Sequence, residues 1–200
     1  MSRHLVIMAK RPTMGRVKTR LAKQIGNSAA YRFFNLNLQN LMRNLGQNPK
    51  FKLHIATTPK QAARDAYWPQ YVNVFDQGDG NLGDRMQHVF AHIHGQYGGA
   101  KILIIGSDIP YIEPKHIMHG FETLGRKKVC FGASGDGGYW CVGQRTSPKV
   151  TKLFDDVRWS SQYALADTMK NAPANEVGML ATLNDVDEAE DYYTYLNSRR

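Results

Sequence analysis

Short unbroken apolar runs alternate along this chain with segments whose apolar residues return every three or four positions. Runs of the first kind occupy residues 5–9, 51–56, 72–75, 101–105, 129–133 and 139–142. Their length and their apolar, often β-branched content predict short strands, the longest runs buried on both faces as in a parallel sheet. Segments of the second kind predict helices over 27–45, 82–97, 114–124, 160–169 and 188–196. In the first of these the inward residues are Ala30, Phe33, Phe34, Leu38, Leu41 and Leu45. In the second they are Met86, Val89, Phe90 and Ile93, and Gly98 and Gly99 close the helix. Strands alternating with helices predict an α/β fold with a mainly parallel, Rossmann-like sheet and helices on both faces.

The segment KILIIGSDIP, residues 101–110, says most about function. Gly106 and Ser107 stop a buried strand and Pro110 prevents its continuation, so Asp108 falls just past the strand's carboxyl end. Open α/β sheets bind ligands at that rim. A carboxylate there can hold a divalent cation against phosphate oxygens. The competing reading is an Asp that makes a turn or caps the next helix.

Length fits a single domain spanning 1–200. No apolar run approaches the roughly 18–20 residues needed to cross a bilayer, and the amino-terminal run is too short for a signal peptide. A cytoplasmic protein is expected. Cys130 and Cys141 lie in short apolar runs, which predicts buried thiols rather than a disulfide or a metal site. The net charge of +9 is uneven, because residues 1–64 carry 13 Lys and Arg and no Asp or Glu. This balance implies an anionic partner, either a nucleotide or a nucleic acid, although a solvated basic surface with no specific partner has the same composition. Aromatic residues do not interleave with the basic cluster at 10–23, which disfavours single-stranded nucleic acid.

Three segments could carry chemistry beside Asp108. The loop after the first strand, KRPTMGRVKTRL, holds Lys10, Arg11, Arg16, Lys18 and Arg20, with Gly15 allowing close backbone approach. Such a loop suits phosphates, although a solvated basic loop has the same composition, and it matches neither the Walker loop nor G-x-G-x-x-G. The turn ASGDGGY packs three glycines around Asp136, and Tyr139 with Trp140 could wall a sugar or base; a plain hairpin turn reads the same way. In LNDVDEAED, Asp185 or Asp187 could reach the rim, while acidic residues also suit a helix amino terminus. His88 and His92 have metal-compatible i, i+4 spacing, yet no H-E-x-x-H frame surrounds them and surface histidines are expected.

Taken in order, K-x-P-x-x-G-R-V-K-T-R-L, Q-G-x-G-x-L-G-x-R-M, G-S-D-x-P, D-G-G-Y and D-V-D resemble a small bacterial family of the nucleotide-diphospho-sugar transferase superfamily. Members have the GT-A fold and are often described as glycosyltransferases; the guanylyltransferases that activate 2-phospholactate or molybdopterin are similar. The resemblance implies a nucleotide or nucleotide-sugar donor, a small-molecule acceptor, and Mg²⁺ or Mn²⁺ as cofactor. It places Gly15, Arg16, Lys18 and Arg20 in the nucleotide-phosphate loop, with Gly83 and Arg85 joining them from the loop-to-helix segment that begins at Gln77. It makes Asp108 and Asp187 the metal carboxylates, and puts Gly137, Gly138 and Tyr139 on the substrate side. Lys18, Asp108 and Asp136 are then the expected catalytic residues. The chain departs from the family pattern at 133–135, Ala-Ser-Gly, and at Glu188. The resemblance favours glycosyl transfer and the basic loop favours nucleotidyl transfer; the rival from another class is a nucleic-acid-binding domain without catalysis.

Overall fold

The computed structural model describes residues 1–198. Seven strands form one sheet: β1 (Ser2–Lys10), β2 (Lys52–Thr58), β3 (Asn73–Asp76), β4 (Ala100–Gly106), β5 (Val129–Ala133), β6 (Tyr139–Arg145) and β7 (Val177–Leu180). Among the described residues six α-helices accompany them: α1 (Thr19–Ile25), α2 (Asn27–Gly46), α3 (Leu82–Tyr97), α4 (Pro114–Arg126), α5 (Ala164–Lys170) and α6 (Ala189–Asn197). The strand order is β3-β2-β1-β4-β6-β5-β7. Only β6 runs against the others, because a short turn returns it directly along β5 into the gap beside β4. The expected α/β, mainly parallel architecture is what the chain adopts.

Period-two alternation sorts the strand residues between two cores. Leu5, Ile7, Leu103 and Ile105 face one layer, where Phe34, Leu38 and Leu41 of α2 and Ile117, Phe121 and Leu124 of α4 cover them. Val6, Ile102 and Ile104 face the other, under Met86, Val89, Phe90 and Ile93 of α3, with Leu165 and Met169 of α5 alongside. Every inward residue expected of α2 and α3 is buried. Both α1 and β7 escaped the sequence reading. α1 is a single short stretch entered from a left-handed residue with no side-chain cap. β7 is an edge strand with one buried residue, Leu180, so it lacks the apolar run of its neighbours. The helix expected over 160–169 begins only at Ala164, since residues before it form turns. Among the described residues no helix is long and apolar enough to cross a membrane, and both cysteines are buried free thiols.

At the opposite end of the sheet from the strands' carboxyl rim, His4 and His54 are fully buried side by side, Nδ1 to Nε2 at 2.9 Å. Burial, with Lys52 nearby, lowers His4 to about 4; burial, with His4 beside it, lowers His54 to about 3. Both are neutral in the fold and titrate near 6.5 when unfolded. The stability they contribute is therefore complete above pH 6.5 and declines as pH falls towards 4 and 3. Urea unfolding should show a midpoint that drops between pH 7 and pH 5. In the His4→Gln/His54→Gln variant that slope should flatten; an unchanged slope would assign the acid sensitivity elsewhere.

Candidate functional site

The carboxyl ends of β1 and β4 are adjacent, and the site is assembled on them. β4 ends in Gly106, where a Cβ would come within 3.0 Å of the Asp108 carboxylate, so the absence of a side chain lets Asp108 fold back over the strand. The buried Asn37 of α2 donates to the Ser107 carbonyl at 2.8 Å and fixes the turn that presents Asp108. β1 leads into a loop whose first tight bend is Thr13–Arg16, closed by a backbone hydrogen bond of 3.0 Å, with Gly15 at φ 75°. Val17 is buried and anchors the loop, and Lys18 follows in the left-handed region at φ 48°, ψ 48°. A non-glycine residue there is held against a cost of about 1–3 kcal/mol.

That conformation sends the Lys18 side chain, only 6% exposed, into a cluster of acids. Its Nζ donates to Asp108 Oδ2 at 3.0 Å and also to Asp187 Oδ1. Arg20 lies beside the same Asp187, Nη1 to Oδ2 at 3.9 Å. Asp185 completes the group: Asp108, Asp185 and Asp187 each offer an oxygen, all within 4.8 Å of one another. Burial works against the Lys18 ammonium, yet the two carboxylates outweigh it and raise its pKa. Burial chiefly, then repulsion from Asp187 and Asp108, pushes Asp185 up to about 6. Three hard carboxylate donors converging from two chain segments are a donor set suited to Mg²⁺ or Mn²⁺.

A cleft of about 500 Å³ opens beside the cluster. Of the residues singled out from sequence, Lys10, Arg16, Lys18, Arg20, Gln77, Arg85, Asp108, Tyr139, Trp140 and Asp187 line it. Gln77 is buried and donates to the Ala56 carbonyl at 2.9 Å, tying its segment to the end of β2. A second cleft of about 480 Å³ shares Lys10, Arg16 and Thr58 with the first and extends past Arg11 and Gln61. Arg11 is fixed there by Asp65 at 2.9 Å and by the face of Tyr67. Lys18 and Arg11 are thus spent on carboxylates, while Arg16 and Arg20 are exposed at the loop.

Gly15, Gly83, Asp136, Gly137 and Gly138 stand apart from the cleft wall. Gly83, in the first turn of α3, packs so closely on Trp159 and Phe154 that a Cβ would meet them at 2.7 and 2.8 Å. Gly15 is exposed at its bend. Asp136 accepts from the Gly138 amide at 2.9 Å and shapes the β5–β6 turn, whose Gly135 amide binds Asn184 at 3.0 Å. That brings the turn to the segment carrying Asp185, whose pKa Asp136 helps to raise. Gly137, at φ 83°, passes against the Gln162 backbone. The Tyr139 hydroxyl lies 3.4 Å from Thr168 Oγ1 in the wall, and the Trp140 indole donates to Ala181 at 2.9 Å from a buried position. His88 and His92 lie on α3, where His92 stacks on Phe75.

The sequence profile of the family described as "Uncharacterized protein conserved in bacteria (DUF2064)" matches residues 41–161. The chain belongs to the DUF2064 family. No curated protein sequence matches it. In structure, this DUF2064 chain is similar to a Desulfovibrio desulfuricans G20 protein assigned to the nucleotide-diphospho-sugar transferases. The two share 25% identity at a TM-score of 0.90, over 100% of this chain and 89% of that one. It is also similar to CMP:2-keto-3-deoxy-manno-octonic acid synthetase complexed with CTP, at 12% identity and TM-score 0.57 over 100% of both chains. A third likeness is to Rv0371C of Mycobacterium tuberculosis H37Rv in complex with manganese, at 17% identity and TM-score 0.53 over 99% of this chain and 100% of that one. The last two speak to fold alone. This DUF2064 chain has the fold of the nucleotide-diphospho-sugar transferases, as its motifs lead one to expect.

Proposed function

We propose that this protein is a divalent-metal-dependent transferase that takes a nucleotide-sugar donor and passes the sugar to a small-molecule acceptor. One observation carries the reading: Asp108, Asp185 and Asp187 converge with Lys18 at the carboxyl rim of the sheet, beside a cleft edged by Arg16, Arg20 and Arg85. Carboxylates and guanidinium groups side by side suit a diphosphate that is bridged by a cation on one side and bound by arginines on the other. That two proteins with this fold have been seen with manganese and with CTP supports a metal and a nucleotide at the site.

In this account Asp108, Asp185 and Asp187 hold Mg²⁺ or Mn²⁺, whose charge, when it is bound, neutralises the leaving diphosphate. Arg16 and Arg20 take phosphate oxygens, with Arg85 and the Gly83 turn facing them from α3 and Gly15 letting the loop close over them. The second cleft gives a nucleoside room beyond the phosphates. The turn of Asp136, Gly137 and Gly138, with Tyr139, forms the acceptor side. There an acceptor hydroxyl bonds to the anomeric carbon as the carbon–oxygen bond to the diphosphate breaks. Its proton passes to a base, for which Asp136 is our candidate. Most of the acceleration comes from position and charge.

A second reading rests on the basic loop, whose cations would equally suit a triphosphate: nucleotidyl transfer to a phosphorylated acceptor, releasing pyrophosphate. Product analysis separates the two. Incubation with nucleotide-sugars and acceptor extracts should yield nucleoside diphosphate with Mn²⁺ or Mg²⁺ and none with chelator. Pyrophosphate released from a triphosphate would replace glycosyl with nucleotidyl transfer. Consumption of neither donor class would defeat both.

A further inference from the structure

The acid cluster already has a cation of its own. Lys18 reaches Asp108 on the rim of β4 and Asp187 on the segment before α6, and by doing so it ties two separate chain segments together. The contact is built in rather than incidental. The Lys18 backbone is held left-handed, its side chain is almost wholly enclosed, and Val17 and the α1 hydrogen bond from Ala22 to the Lys18 carbonyl fix its approach. Asp185 and Asp187 reach the same cluster while Val186, between them, is buried in the α1–α2–α6 core.

Resting on the transferase reading above, we infer that Lys18 is the resident counterion of the metal site, and that its ammonium must leave Asp108 and Asp187 when a divalent ion binds there. An ammonium hydrogen-bonded to Asp108 Oδ2 and Asp187 Oδ1 engages the oxygens a bridging cation needs, and two cations in one small pocket repel. The place to which Lys18 swings is the cleft it already lines, where phosphate oxygens of a nucleotide offer it a new partner. Metal and nucleotide are thereby coupled through one side chain: the metal frees the lysine, and the nucleotide accepts it. Without nucleotide, Lys18 competes with the metal and keeps its affinity low. Arg20, exposed and 3.9 Å from Asp187, has no comparable place between two carboxylates.

The test measures Mn²⁺ binding in the absence of any nucleotide, by the electron paramagnetic resonance signal of free Mn²⁺. Lys18→Met should bind Mn²⁺ at least tenfold more tightly than the natural protein, and Arg20→Gln, which also removes one positive charge, should stay within about threefold. Equal affinity in Lys18→Met and the natural protein would overturn the inference while leaving the metal site standing. Binding of Mn²⁺ to neither would overturn the metal site itself, and the inference with it. A second measurement needs no variant: acylation of Lys18, followed by peptide mass spectrometry. Labelling should be slow in the metal-free protein, accelerate several-fold with Mg²⁺ or Mn²⁺ alone, and slow again once nucleoside diphosphate is added. A Lys18 labelling rate indifferent to a metal that binds would contradict the exchange.

Discussion

Asp108→Asn should lower the metal-dependent transferase rate by about 10²–10³-fold, the scale of losing one well-placed electrostatic group. The substitution preserves shape and removes charge. Gly106 still leaves room for the side chain, Asn37 still holds Ser107, and the Asp187 bond to Lys18 remains, so the fold should survive with little change in unfolding midpoint. What disappears is the one carboxylate that β4 itself carries to the rim. Asp185→Asn should lower the rate as well, since its carboxyl offers an oxygen to the same cluster as Asp108 and Asp187. Steady-state rates with saturating Mn²⁺ check both. A rate for Asp108→Asn within threefold of the natural enzyme would remove Asp108 from the chemistry.

The largest structural effect should come from Gly137→Ala. This residue sits at φ 83°, and an added Cβ would collide with the Gln162 carbonyl and lie 2.6 Å from the Gln162 Cα. Neither obstacle is a flexible side-chain tip. Left-handed strain and overpacking each cost about 1–3 kcal/mol, so a loss of roughly 2–6 kcal/mol is expected. The Leu165 amide also bonds to the Gly137 carbonyl at 3.0 Å, so the disturbance should reach the start of α5. Urea unfolding should show a lowered midpoint at constant slope. If Asp136 acts on the acceptor side, the Michaelis constant for acceptor should rise more than that for donor.

Where the chain's chemistry is local, the fold could be read directly. β1 and β4 are apolar on both faces because helices cover both, and the α2 and α3 periodicities match a helix lying on a sheet. β7 and α1 could not be read in this way, because pairing with β5 makes the one and packing of Leu21 against α2 and Val186 makes the other. The site shows the same division. Asp108 is legible from its strand alone. Assigning both Asp185 and Asp187 to the cluster needs the fold, in which Val186 between them is buried and both carboxylates lie near Asp108. The D-V-D spacing of two was the available signal, since alternate residues of an extended chain share a side. Lys18 read as a phosphate ligand from its basic surroundings, and its pairing with two carboxylates emerges only when residues 90 and 169 positions away fold onto it. Part of the basic surplus of the first third is met within the fold, because Arg11 meets Asp65, just past its end, and Lys18 meets Asp108 and Asp187.

The central claim is a nucleotide site whose use depends on a metal held at Asp108. Thermal unfolding with a panel of nucleoside diphosphates and nucleotide-sugars, each with Mn²⁺ and with chelator, tests it most directly. A ligand at 100 times its dissociation constant stabilises the fold by about 2.7 kcal/mol, a shift of several degrees for a chain of this size. The account predicts such a shift for one nucleotide series with Mn²⁺, its loss in chelator, and its loss in Asp108→Asn. A shift that persists in chelator and in the variant, or no shift with any nucleotide, would contradict it.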